Sequence, residues 1–536
     1  MAGFAAGAGI ASDSGGMVRS VGGLVLLSVL SPAAGLAVEM ALAWQFGVSA
    51  EVDAFRTAST FLVLGQQLLV VQVLPHIIVP LFAELRSQGR AGCAWQMTLR
   101  LMGLLLLLFG VVAAMVFLWP ERLVNVLAPG LEGESAATAA TMLRWFALGY
   151  LPLVAAGTAA GVLQAHGIFW CTPVAQLTGH LALVLAILLL SQLLGVGALM
   201  VGALAGPLAA MGLHWARAQR LKPAASVAPS SPARFRFPAL RRLVLLLLPL
   251  FGVFVLGQLV SVLVLREVSR LAEGSLAALG YAYKLGMLVA LVPAALTTVL
   301  FQRLAASHAS GGSVRLRHTS TDALRLVLFA GVPLSLLCFA LREPLVELLL
   351  GRGAFDADAA RQVSRLFGLL LLGAPATTAC VILEKTCYSM QRNWLPFAVQ
   401  LAGTIALALM LPEVAAHHGV EGVVLTLVAV AWSSTLILAG VLGWRWRVVQ
   451  AASAARLLVG TTLAALAAAW VAVRVHEIFV TPIPPWELWS TVAGGSAGLA
   501  VFLLATRLFG VAEARHLFAV VLRSTPPGKK SQHHGG

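Results

Sequence analysis

Lysine and arginine crowd the short gaps between long apolar runs, and they do so on every second gap along the chain. Of the 36 Lys and Arg, 25 fall in or towards one alternating set of gaps and nine in or towards the other. The remaining two, Arg144 and Lys284, are assigned to neither set. A hydrocarbon core about 30 Å thick takes about 20 apolar residues per helix. About 14 runs meet that length, at 21–46, 57–83, 95–119, 138–162, 168–190, 196–216, 243–265, 276–302, 325–350, 360–384, 394–411, 422–444, 457–475 and 488–509. They are too long, and too uniformly apolar, for the alternating strands of roughly ten residues in a membrane barrel. The expected fold is therefore an all-α integral membrane protein of about 14 transmembrane helices. Cytoplasmic gaps are enriched in Lys and Arg, so the split places both termini inside. The cation-poor outer gaps carry Arg56, Arg122, Arg266, Arg270, Arg342, Arg352, Arg361, Arg365 and Arg474.

Composition closes off the other classes. With 60% hydrophobic and 11% charged residues, no soluble core could hide so much apolar surface. The net charge of +15 sits at membrane boundaries, which argues for anionic lipid headgroups as partners and against nucleic acid. The first run, about 26 residues long, exceeds the roughly 7–15 apolar residues of a signal peptide, and no small-residue cleavage site follows it. Cys93, Cys171, Cys338, Cys380 and Cys387 have no metal-ligand spacing and read as packing residues. The adjacent pairs His417-His418 and His533-His534 cannot share a helix face, and no metal site is expected. There is no Gly-rich phosphate loop, H-E-x-x-H or nucleophile elbow, so no catalytic residues and no cofactor are expected. Any work done on a solute would draw on the membrane potential or an ion gradient.

The chain divides into a cytoplasmic segment 1–20, an N-lobe of six helices at 21–216 and a Pro- and Ser-rich cytoplasmic linker at 217–242. A C-lobe of six helices at 243–447, two further helices at 448–509 and a cytoplasmic tail at 510–536 follow. Short matches in order suggest a parallel repeat: Pro32-Ala-Ala-Gly35 with Pro249-Leu-Phe-Gly252, and Leu81-Phe82 with Leu300-Phe301. Repeats of this kind place a transporter's site between the halves. Pro32, Gly35, Pro249 and Gly252 are candidate gating residues, because an intrahelical proline frees a carbonyl and kinks the helix.

Three charges escape the topological pattern: Glu39, Arg144 and Lys284. Arg144 is close enough to its helix end to snorkel outward. Glu39 and Lys284 lie roughly 10–12 Å below the outer surface at 1.5 Å per residue. A charge at that depth costs a few kcal/mol and marks a functional cavity. Both are expected to face a shared one.

Residues 31–84 resemble the opening of the MurJ (MviN) lipid II flippases of the MOP exporter superfamily. That family's S-R-x-x-G-x-x-R-D, F-G and D-A-F elements are matched by Ser31, Gly35, Glu39, Phe46-Gly47 and Asp53-Ala54-Phe55. Its F-V-P-x-x-A-E is similar to Ile78-Val79-Pro80-Leu81-Phe82-Ala83-Glu84. Leu350-Gly351-Arg352-Gly353-Ala354-Phe355 is similar to its L-F-x-R-G-x-F. Tyr388 with Pro396, and Leu163-Gln164-Ala165 with Phe169 and Pro173, keep the spacing of its paired loops. The resemblance implies a flippase of the bacterial inner membrane that carries a lipid-linked glycan precursor, lipid II or a related polyprenyl-diphosphate sugar, to the outer leaflet for the cell wall. It also implies membrane lipids and glycan-synthesis proteins as partners.

The departures bear on the substrate. The family's cavity arginines are replaced by Pro32, Val38, Thr60, Gln66 and Gln67, and its helix-8 Asp-Arg by Tyr283-Lys284. Arg grips phosphate in bidentate fashion and Lys acts as one point charge, so the expected site has Lys284 on phosphate. Gln66, Gln67 and Gln258, with Gln72 and His76, would offer neutral hydrogen bonds to sugar, and Glu39, Thr60 and Tyr283 complete the expected substrate-binding set. Two other readings stay open: a MATE-type cation or drug antiporter using Glu39, and a transport-inactive scaffold of a glycan-assembly complex.

Overall fold

The computed structural model describes residues 14–87, 90–222, 240–309, 313–479 and 486–508. Every regular element among them is helical. In chain order these are α1 (Ser14–Phe46), α2 (Ala50–Gln66), a π-helical segment (Gln67–Val73), α3 (Leu74–Ser87), α4 (Ala91–Leu118) and the short α5 (Pro120–Leu127). Then come α6 (Gly133–Leu148), α7 (Tyr150–Ala165), α8 (Cys171–Leu194) and α9 (Gly197–Gln219). The second half holds α10 (Leu240–Val268), α11 (Ser275–Ala309), α12 (Ser313–Ala340), the short α13 (Arg342–Leu350) and α14 (Ala357–Ser389). It ends with α15 (Trp394–Trp444), α16 (Ala451–Phe479) and α17 (Trp486–Leu508).

Among the described residues, 11 helices are long and apolar enough to cross a membrane. One of them, α15, runs for 51 residues and breaks at Gly419, where φ is +59°, so it covers both spans expected at 394–411 and 422–444. The runs at 21–46 and 57–83 are helical too, as α1 and the α2–π–α3 stretch. The structure corrects the second of these. Nothing in its sequence announces a break, yet Gln67–Val73 adopts the wider π-helix. Short π segments inside α-helices often sit at functional sites.

The chain forms two compact units. The first comprises residues 1–236 with two short outlying segments, 272–277 and 352–356. The second comprises 237–271, 278–351 and 357–536. Unit 2 repeats the order of unit 1: two long spans, a third span followed by a short helix (α5 or α13), then three more. Helices α16 and α17 pack on each other and on α12, so they belong to unit 2.

Helix α7 is the core of unit 1. It is buried from Pro152 to Leu163, whereas α4 leaves Leu104, Leu107, Leu108 and Met115 exposed as a lipid-facing stripe. Without a hydrophobic drive between helices in lipid, small residues hold them together by letting backbones approach. Gly157 and Gly161, a G-x-x-x-G pair, serve this purpose. A Cβ at Gly157 would lie 2.5 Å from the Leu69 carbonyl oxygen in the π segment, and one at Gly161 2.8 Å from Ile78 Cβ. Gly157→Val should therefore cost at least about 1–3 kcal/mol by overpacking and lower both yield and thermal midpoint. Gly212→Ala, whose Cβ would meet open space, should do neither.

Candidate functional site

The three charges left over from topology have different fates. Arg144 donates to Glu121 at 3.2 Å and to the Phe117 carbonyl at 3.2 Å, in an exposed pair that fits an interfacial anchor. Glu39 is 6% exposed on α1. Both of its carboxylate oxygens are held by Arg56, Nη1 to Oε1 at 3.1 Å and Nη2 to Oε2. By sequence position Arg56 belongs to an outer gap; the structure puts it inside α2. The partner that a buried carboxylate requires is thus Arg56, seventeen positions away, and Glu39 needs no bridge to Lys284. Lys284 is half-buried on α11, and among the described residues no acid pairs with it.

The α2 face that carries Arg56 continues through Thr60, whose hydroxyl donates back to the Arg56 carbonyl at 2.8 Å. One further turn and a half along the same stretch, Gln66 closes α2 and Gln67 opens the π segment, both half-buried. The side chains of Gln72 and His76 lie outside the described residues. Glu39, Arg56, Thr60, Gln66 and Gln67 thus all belong to α1 and the α2–π stretch of unit 1. Pro32 lies inside α1 and Gly35 is buried there.

Before Arg56, the first turn of the same helix carries a latch built of motif residues. Asp53, 3% exposed, accepts the Gly274 N–H at 2.7 Å and the Ala277 N–H at 2.6 Å, one on each carboxylate oxygen. These are orphan amides at the start of α11, and a carboxylate is the natural cap for them. Burial pushes the Asp53 carboxyl up to about 6, against the pull of those two amides and of Arg56. Beside it the Ala354 N–H donates to the Trp44 carbonyl at 2.9 Å. Gly47 (φ +60°) and Gly353 (φ +68°) let these backbones meet, since a Cβ at either would strike Ala354 or Trp44. The D-A-F, F-G and R-G-x-F elements therefore share one physical purpose, holding segments 272–277 and 352–356 within unit 1.

In unit 2, Pro249 lies inside α10 and Gly252 faces the Phe397 ring of α15 so closely that a Cβ there would overlap it. Gln258 is half-buried further along α10. Tyr283 lines a cavity of about 410 Å³ walled by α10, α11, α14 and α15. That cavity also holds Glu384, which the sequence does not single out because the apolar run ends at that residue. Among the described residues there is no group of three metal-ligating side chains.

Comparison with known proteins places this architecture. The family model for the lipid II flippase MurJ matches residues 42–488. The chain is 25% identical over 443 residues to a probable lipid II flippase MurJ of Rhizobium meliloti, covering 80% of each chain. It is 24% identical over 378 residues to the lipid II flippase MurJ of Burkholderia cenocepacia, covering 69% of this chain and 72% of that one. A shorter match, 29% identical over 216 residues, spans 40% of the corresponding Rhizobium tropici protein. Among solved structures, a lipid II flippase MurJ in an inward closed conformation superposes with a TM-score of 0.75 at 18% identity, covering 92% of this chain and all of that one. An inward-facing MATE family multidrug transporter of the MOP superfamily gives 0.62 at 13% identity, covering 80% and 96%. These structural likenesses establish the shared fold. The family is one of lipid flippases, membrane transporters rather than enzymes, with a lipid-linked substrate. The chain belongs to the lipid II flippase MurJ family and is a multi-pass protein of the inner membrane.

Proposed function

We propose that the chain moves a polyprenyl-diphosphate-linked sugar from the inner to the outer leaflet by alternating access, with Lys284 as the phosphate contact. The observation that carries this reading is the state of the charges in the spans. Glu39 and Arg56 neutralise each other, and Arg144 is anchored at an interface. Lys284 alone of the three singled-out charges has no partner among the described residues. A cation without a counter-charge inside a span marks an anion pathway. Thr60, Gln66, Gln67 and Gln258 supply neutral hydrogen-bonding groups suited to a sugar. Pro32, Gly35, Pro249 and Gly252 would let α1 and α10 bend as access alternates. Proteins that synthesise or use the glycan would be its partners. The antiporter reading loses its acid in unit 1, because both Glu39 oxygens are bound by Arg56. The test is a leaflet-translocation assay in reconstituted vesicles. A fluorescent polyprenyl-diphosphate sugar should cross, and the same sugar on an uncharged polyprenyl ether should not.

The orientation this requires has both termini in the cytoplasm. With Glu132→Cys and Lys222→Cys, both exposed positions, an impermeant maleimide added to intact spheroplasts should label position 132 and leave 222 unlabelled until the membrane is opened. The opposite pattern would overturn the orientation.

A further inference from the structure

The cavity in unit 2 has a chemistry that the flippase reading does not use. Its volume of about 410 Å³ falls within the range of small-molecule sites, roughly 300–1,000 Å³. Its wall is mostly aliphatic, from Val260, Met287, Leu370, Leu407 and Val428, and it carries no basic side chain. Set into that wall is one carboxylate, Glu384, near the C-terminal end of α14. The Cys380 thiol, a weak donor, reaches that carboxylate at 3.9 Å. The neighbouring base, Lys385, attracts it electrostatically but does not line the cavity. Lys385 donates to the Thr297 hydroxyl at 3.1 Å and sits 5.7 Å from the centre of the Phe301 ring, both on α11.

A carboxylate set in an apolar wall that holds no basic side chain favours a cation within the cavity. The candidate cations separate on geometry. A bare metal ion needs several oxygens converging at short range, and among the described residues no group of three His, Cys, Asp or Glu is placed to hold one. The cavity's other polar groups, from Thr377, Gln400 and Ser434, are spread over three helical stretches around a largely apolar space. Such a space suits an ion that brings its own apolar body. Tyr283 adds an aromatic ring to the wall, a further attraction for a positive charge. A diphosphate is excluded from this space by the same charge balance. We propose that this cavity is a binding site for a lipophilic organic cation, with Glu384 as its counter-charge.

The proposal is independent of the flippase reading and is tested with a pair of probes of equal shape and opposite charge. Full-length protein in detergent is dialysed against tetraphenylphosphonium or tetraphenylborate. The phosphonium should bind saturably at one site per chain and the borate should not. Glu384→Gln should weaken phosphonium binding about tenfold or more, as expected for loss of a charged contact, with the thermal midpoint within error of wild type. Glu384→Asp should retain part of it, which confirms that the loss reflects charge and not misfolding. Lys284→Ala should bind the phosphonium normally even if it fails to move a lipid-linked sugar, so the two readings can fail separately. Equal phosphonium binding by Glu384→Gln would overturn the proposal. So would Glu384-dependent stabilisation by Na⁺ with no phosphonium binding, since that outcome makes the site one for an inorganic ion.

Discussion

Lys284→Ala should abolish transport while leaving the protein inserted at its normal level. The side chain is half-buried on α11 and has no acidic partner among the described residues. Its removal strands no opposite charge, so the fold should bear it at little cost. The loss falls on the substrate. A hydrogen bond to a charged group is worth about 1.5–3 kcal/mol, a fall of roughly 10- to 150-fold in binding of the diphosphate. Lys284→Arg should keep partial activity, because the charge survives while the planar guanidinium presents it differently. The check is initial translocation rate set against membrane protein level for each variant. A collapse in level for Lys284→Ala, with normal rate per molecule, would make Lys284 a structural residue.

Arg56→Ala should give the opposite pattern. It leaves the Glu39 carboxylate buried with its principal partner gone, since the pair is only 19% and 8% exposed. Breaking a buried pair from one side costs about 3–5 kcal/mol, enough to empty the membrane of folded protein. Removing both charges avoids that penalty, so Arg56→Gln with Glu39→Gln should restore much of the lost level. Level and thermal midpoint of both single variants and the double variant give the coupling. If Arg56→Ala is as stable as wild type, the bidentate pair contributes nothing to the fold.

These two residues also mark where the sequence was legible and where it was not. The spans and the family could be read because they rest on runs of about 20 residues and on motif spacing, both local in sequence. The short helices α5 and α13 pass unnoticed because each is too short to read as a span. Glu39 is visible as a buried charge, yet its partner is hidden. Arg56 follows the Asp53-Ala54-Phe55 motif at a boundary, where an arginine reads as topology. The π segment at Gln67–Val73 has no Gly or Pro to announce it. It lies where α7 comes close, at Gly157, to the Leu69 backbone. Glu384 is missed for a similar reason, as a charge at the end of an apolar run reads as the edge of the membrane. Only the walls of α11 and α15 show that it faces a cavity. The motif glycines at 47 and 353 are plain in the sequence, but their purpose appears only where the two backbones meet.

The proposed contact of Lys284, which has no acidic partner among the described residues, with a lipid-linked diphosphate is open to direct test. Reconstituted wild-type protein and Lys284→Ala, at matched density in vesicles, should be compared for translocation of one fluorescent polyprenyl-diphosphate sugar. Rapid crossing with wild type and a rate at the protein-free background with Lys284→Ala is the predicted result. Equal rates for the two proteins, or no crossing with well-folded wild type across a panel of such lipids, would contradict it.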